Sequence, residues 1–208
     1  MANTITLLRF PLLFVYVALL YSGKPVVIYW CVPFIVLIIL MDMVDGLIAR
    51  ARGEVTLLGS VLDIATDRTL EIVLWVVFAN LRLIPVVIPL IVITRGTTVD
   101  AVRAVGMSRG LAAFDQVRHP ISRFLVASRF MRSSYGVAKA IAFATLTLAL
   151  GLQAAASPWA QTAHTLALII TWVAISMTIA RGMPVLIESF DMLKRLENNE
   201  TGPAGADQ

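Results

Sequence analysis

Apolar residues fill six long stretches of this chain, near Ile5–Tyr21, Val26–Leu47, Val61–Asn80, Ile84–Val105, Tyr135–Gln153 and Trp159–Ile187, with polar links between them. Each stretch can cross a hydrocarbon core of about 30 Å at about 1.5 Å per helical residue. Lipid offers no partner to an unpaired backbone amide, so such stretches are predicted to be α-helices. The expected fold is an all-α integral membrane protein with six transmembrane helices. Pro85, Pro89 and Pro184 fall within these stretches, where a proline kinks a helix without ending it.

The basic residues sort the links into two kinds. Arg50 and Arg52 follow the second stretch, Arg109, Arg118, Arg123, Arg129 and Arg132 lie between the fourth and fifth, and Lys194 and Arg195 follow the sixth. The opposite links hold Lys24 and Arg82, and nothing basic separates the fifth stretch from the sixth. Positive charge marks the cytoplasmic side, so both termini are expected there. The link Met107–Ser134 mixes Phe114, Ile121, Phe124, Leu125 and Phe130 with arginines, which predicts an amphipathic cytoplasmic segment; an ordinary positive-inside loop is the alternative. Residues 1–195 are expected to form one domain and residues 196–208, polar and rich in Gly, Pro and acids, a disordered tail. Arg9 interrupts the first stretch without a small-residue cleavage site after it, so that stretch reads as a span and not a removable signal peptide.

Composition supports the membrane class. A chain that is 59% hydrophobic and 14% charged cannot hide its apolar side chains in water. The formal net charge of +4 is clustered, which suits anionic lipid head groups. No basic helix or aromatic-basic module accompanies it, so nucleic acid is not an expected partner. The single cysteine, Cys31, permits no internal disulfide and reads as a small buried hydrophobe.

Four acids break the apolar pattern: Asp42 and Asp45 close the second stretch, and Asp63 and Asp67 open the third. An aspartate deep in a membrane helix costs about 2.5–3.5 kcal/mol on insertion scales, so such residues point to function. Spacings of three and four put each pair on one helix face, and two helices joined by a short turn are antiparallel neighbours, so the two faces can converge. Gly46 and Gly59 leave room there for a close approach. Arg50 and Arg68 can neutralise part of the charge. An all-oxygen set without His or Cys suits a hard divalent ion, Mg²⁺ or Mn²⁺, and such an ion is commonly completed by substrate phosphates. Four helix-end acids paired with arginines are the plainer alternative.

The run Asp42-Met-Val-Asp45-Gly46-Leu-Ile-Ala49-Arg50, then eight residues, then Gly59-Ser-Val-Leu-Asp63-Ile-Ala-Thr-Asp67, resembles the complete signature of the CDP-alcohol phosphotransferases. That resemblance implies a transferase that moves a phosphatidyl group from CDP-diacylglycerol to a small alcohol and releases CMP. It implies that Asp42, Asp45, Asp63 and Asp67 bind one or two divalent ions, with Asp67 also the general base on the acceptor hydroxyl. Asp42, Gly46, Ala49, Arg50 and Gly59 would hold the CDP moiety. It further implies a homodimer in a bacterial inner membrane, with the active site facing the cytoplasm.

The opening Asn3-Thr-Ile-Thr6-Leu-Leu-Arg9 resembles the start of phosphatidylglycerophosphate synthases, which adds Asn3 and Thr6 to the CDP-binding set. Arg95 and Arg103, eight apart on one face of the fourth stretch, would form with Lys139 a cationic pocket for glycerol 3-phosphate; positive-inside anchoring is an equal alternative for Arg103, and Arg181 would join the pocket or pair with an acid. Ile64, Arg68 and Gly96 depart from that subfamily, which usually has Pro, Lys and Glu there. The run Ala49-Arg-Ala-Arg-Gly53 and the Asp67-Arg68 pair look closer to members that use inositol phosphate. A non-enzyme alternative, a divalent-cation transporter, needs a polar path across several helices, and the acids gather near one face. His119 and His164 lie beside no candidate nucleophile and are expected to be solvated or structural.

Overall fold

The computed structural model describes residues 2–51, 57–108, 124 and 128–201, and the side chains of most of these. Six helices carry the chain among the described residues: α1 (Ala2–Leu20), α2 (Pro25–Ala51), α3 (Leu57–Asn80), α4 (Val87–Ser108), α5 (Arg129–Ala154) and α6 (Ala160–Thr201). Each covers one of the six predicted apolar stretches. Residues 133–154 of α5 and 160–188 of α6 are long and apolar enough to cross a membrane, and Thr6–Leu20 and Pro25–Met41 are shorter apolar helical stretches. The prolines sit where helices tolerate them. Pro11, Pro33 and Pro184 lie inside α1, α2 and α6, and Pro89 is in the first turn of α4, where its missing N–H has no helical partner to lose.

The helix ends follow from local chemistry. Gly23 stops α1 with a left-handed φ of 67°, the conformation glycine adopts at no steric cost after a helix. Arg82 takes a φ of 58° after α3, and the Leu83 amide bonds back to the Phe78 carbonyl at 3.0 Å. Residues 196–201, the first part of the polar segment that follows the sixth stretch, continue α6. No Gly or Pro interrupts Leu196–Thr201, and the first such pair is Gly202-Pro203. Residues 202–208 lie outside the described residues, as does most of the link expected to be amphipathic.

The chain forms two compact units, residues 1–90 with 137–174 and residues 91–136 with 175–208. In the first, α1 packs on α2 and α3. Its buried positions recur at helical spacing: Leu13, Tyr16 and Leu20 on α1, Ile28, Cys31, Ile35 and Ile38 on α2, Leu70, Leu74 and Phe78 on α3, and Ala142, Leu146 and Ala149 on α5. Trp75 and Phe143 meet at a centroid distance of 4.7 Å. Cross-links fix the helix directions. Arg9 meets Asp63 near the starts of α1 and α3, and the Tyr21 hydroxyl donates to Asn80 Oδ1 at 2.6 Å near their ends, so these helices are parallel. Lys139 with Glu71 and Phe143 with Trp75 align α5 with α3 in the same sense. His164 Nε2 lies 2.8 Å from the Leu83 carbonyl, which sets the start of α6 against the end of α3 and gives this histidine its structural role. A Cβ at Gly151, near the end of α5, would stand 2.8 Å from the Tyr29 ring, so α5 closes on the start of α2. Within this unit α1, α3 and α5 therefore run in one sense and α2 and the start of α6 in the other.

The outward faces stay apolar. Phe14 is 62% exposed and Trp30 74%, and Leu37, Val61, Val137 and Ile169 are exposed as well. A solvated surface rarely offers such continuous apolar area, whereas a lipid-facing one consists of it. The second unit is smaller, with Val99 of α4 and Val185 of α6 buried together and Leu186 packed against them.

Candidate functional site

The motif falls on two helices. Asp42, Asp45, Gly46, Ala49 and Arg50 all lie on α2, so the spacing of 42, 46 and 50 gives them a common face; the side chains of Asp42, Asp45, Ala49 and Arg50 lie outside the described residues. Gly59, Asp63 and Asp67 lie on α3 at steps of four, one above another. Asp63 and Asp67 are both exposed, the Asp63 side chain by 53%, and so open to a ligand.

Charge is organised around these carboxylates. Arg9 of α1 is 1% exposed, and its Nη1 lies 4.0 Å from Asp63 Oδ1. Thr6, one turn earlier on α1, is buried too, and the side chain of Asn3 lies outside the described residues. A turn beyond Asp67 comes Glu71, with its side chain 4% exposed. Lys139 Nζ of α5 reaches Glu71 Oε2 at 3.3 Å, and Arg68 Nη1 reaches it at 3.7 Å. Asp63, Asp67 and Glu71 thus form an acidic stripe along α3, with its buried end held by cations.

Hard oxygen donors on one face, open at Asp63 and Asp67, fit a divalent ion of the Mg²⁺ type by donor chemistry. Among the described residues no group of three His, Cys, Asp or Glu gathers as a metal site; the Asp42 and Asp45 side chains, the other half of the expected set, are not among them.

The expected acceptor residues divide between the units. Lys139 belongs to the first and is ion-paired with Glu71. Arg95, Arg103 and Arg181 belong to the second. Arg103 sits on α4 eight residues after Arg95, with its side chain outside the described residues. Arg181 donates from Nη1 to the Met131 carbonyl at 3.1 Å, and its guanidinium lies 5.2 Å from the centre of the Tyr135 ring. Arg95 is half-buried and packs its stem against Gly182, with Nε buried and without a hydrogen-bond partner among the described residues.

Sequence reasoning passed over Glu71, Gly182 and the Arg9–Asp63 contact. Glu71 had a usable signal, because it is an acid in an apolar helix at the same four-residue step as Asp63 and Asp67. Arg9 was noticed only as a break in the first stretch, and its partner lies 54 positions away.

The model of the CDP-alcohol phosphatidyltransferase family matches residues 1–180, which hold the entire motif, α1 to α5 and α6 up to Ala180. No curated protein matches the chain.

Proposed function

Since the chain belongs to the CDP-alcohol phosphatidyltransferase family, we propose that it transfers a phosphatidyl group from CDP-diacylglycerol to glycerol 3-phosphate in a metal-dependent reaction at the cytoplasmic face of a bacterial inner membrane. The observation that carries this reading is the pair of exposed carboxylates, Asp63 and Asp67, stacked on α3 within the matched region. In the proposed arrangement six spans hold both termini in the cytoplasm. Asp42, Asp45, Gly46, Ala49, Arg50 and Gly59 hold the donor with Asn3 and Thr6.

Asp42, Asp45, Asp63 and Asp67 would hold Mg²⁺ or Mn²⁺, which supplies charge neutralisation on the transferred and leaving phosphates. Asp67 accepts the proton of the acceptor hydroxyl. The hydroxyl oxygen forms a bond to the lipid-side phosphorus, the phosphoanhydride bond to the other phosphorus breaks, and CMP leaves with the electron pair. No protein nucleophile enters the sequence. Arg95, Arg103, Lys139 and Arg181 supply cations to the acceptor's phosphate. Glu71 holds the Lys139 ammonium in place across 3.3 Å.

Inositol phosphate is the second reading, favoured by Arg68 directly after Asp67 and by the run Ala49-Arg-Ala-Arg-Gly53. The test is mass spectrometry of the lipid product formed from CDP-diacylglycerol and an equimolar mixture of glycerol 3-phosphate, inositol phosphate, inositol, serine and choline. A phosphatidylglycerophosphate mass supports the proposal, and an inositol-phosphate product supports the second reading. A serine or choline product would contradict both.

A further inference from the structure

Gly182 is buried in the middle of α6, between Arg181 and Met183. A glycine inside a helix costs roughly 1 kcal/mol against alanine, so a steric cause for it is worth seeking. A Cβ at this position would stand 2.5 Å from Arg95 Nε, 2.8 Å from Cγ and 3.2 Å from Cδ. The first two distances are shorter than carbon and nitrogen tolerate. They involve the stem of the arginine and not only its tip, so turning the guanidinium would not relieve them. Even a methyl group at 182 would force Arg95 into a different rotamer.

The surroundings hold the frame still. The neighbouring Arg181 ties α6 to α5 through the Met131 carbonyl and the Tyr135 ring. Val99, one turn after Arg95 on α4, is buried with Val185, three residues after Gly182 on α6. With both helices pinned on either side, a methyl group at 182 displaces the Arg95 side chain more readily than either backbone. The Arg95 Nε, buried and without a partner among the described residues, is a guanidinium edge with donor capacity left over.

We infer that Gly182 is a positioning residue for Arg95: by having no side chain it lets the arginine stem lie against α6 and sets where the guanidinium meets a phosphorylated acceptor. This rests on the proposed role of Arg95 in holding the acceptor phosphate. It adds a determinant of acceptor affinity that lies just beyond the family match at residue 180. An arginine recognises phosphate through a rigid fork, so a change in stem direction loses geometry that a flexible lysine would recover.

The test is a cycle of Gly182→Ala, Arg95→Ala and the double variant, purified in detergent micelles, with steady-state kinetics for glycerol 3-phosphate and for CDP-diacylglycerol. Gly182→Ala is expected to raise the KM for glycerol 3-phosphate about tenfold, equivalent to about 1.4 kcal/mol, and to leave the donor KM within about twofold. On top of Arg95→Ala it should change nothing further, because the stem it displaces is gone. Equal rises for donor and acceptor, or effects that multiply in the double variant, would overturn the inference while leaving the Arg95 reading intact. An unchanged acceptor KM in Arg95→Ala would remove the Arg95 reading and this inference together. If Gly182→Ala alone does not fold, recovery of a cooperative thermal transition in the double variant supports the steric coupling, and a double variant that stays unfolded refutes it.

Discussion

Removing the Glu71 carboxylate strands a lysine in a dry place. Glu71 and Lys139 lie 3.3 Å apart with side chains only 4% and 12% exposed, so water screens neither. Breaking such a pair by deleting one partner costs about 3–5 kcal/mol, because the remaining charge is left uncompensated. Arg68, at 3.7 Å and 29% exposed, adds little to the loss, since a partly solvated pair is worth at most about 1 kcal/mol. Glu71→Gln is therefore expected near the lower end, about 3 kcal/mol, because the amide still offers an oxygen to Lys139. At about 2–4 °C per kcal/mol for a chain of 208 residues, the thermal midpoint should fall by about 6–12 °C. Glu71→Gln with Lys139→Met removes both charges, and replacing a complete buried pair is often nearly neutral, so most of the loss should return. The single cysteine, Cys31, is buried, so a thiol-reactive fluorophore reports unfolding in micelles. A double variant as unstable as the two single losses added together would refute the reasoning, because it would mean that the two residues act independently.

Two further substitutions probe the site and the core. Asp67→Asn is expected to abolish turnover while CDP-diacylglycerol still binds, checked by single-turnover CMP formation beside a donor-binding titration; full turnover would remove Asp67 as the base. Tyr16→Phe deletes a buried bond of 2.6 Å to Thr147, whose own hydroxyl donates to the Phe143 carbonyl at 2.7 Å, so the tyrosine is the donor. The expected cost is about 1 kcal/mol in the same unfolding assay, and a stability unchanged or raised would show the bond to be worth nothing net.

Much of the architecture was legible because its cause is local. Each of the six long apolar stretches fell on one helix among the described residues, because runs of that length and pattern favour helix. The step of four between Gly59, Asp63 and Asp67 placed them on one face as soon as the segment was known to be helical. Partnerships across helices were not legible. Nothing in the spacing of α1 says that Arg9 is buried against Asp63, and nothing in α5 says that Lys139 meets Glu71, because those contacts depend on how the helices rotate about their axes. The extension of α6 to Thr201 was not legible for a different reason. Composition describes solubility, and a polar segment without Gly or Pro continues a helix already nucleated by the apolar span before it. Gly182 shows the same limit, since its lack of a side chain acquires meaning only once Arg95 is seen lying across it.

The most direct measurement is CMP release from CDP-diacylglycerol by the detergent-purified protein with glycerol 3-phosphate, in Mg²⁺ and after EDTA. Release that needs both the acceptor and the metal, and that returns when Mg²⁺ is restored, is the predicted result. Release unaffected by EDTA would contradict the carboxylate metal site, and no release from folded protein with any acceptor of the panel would contradict the proposed reaction itself.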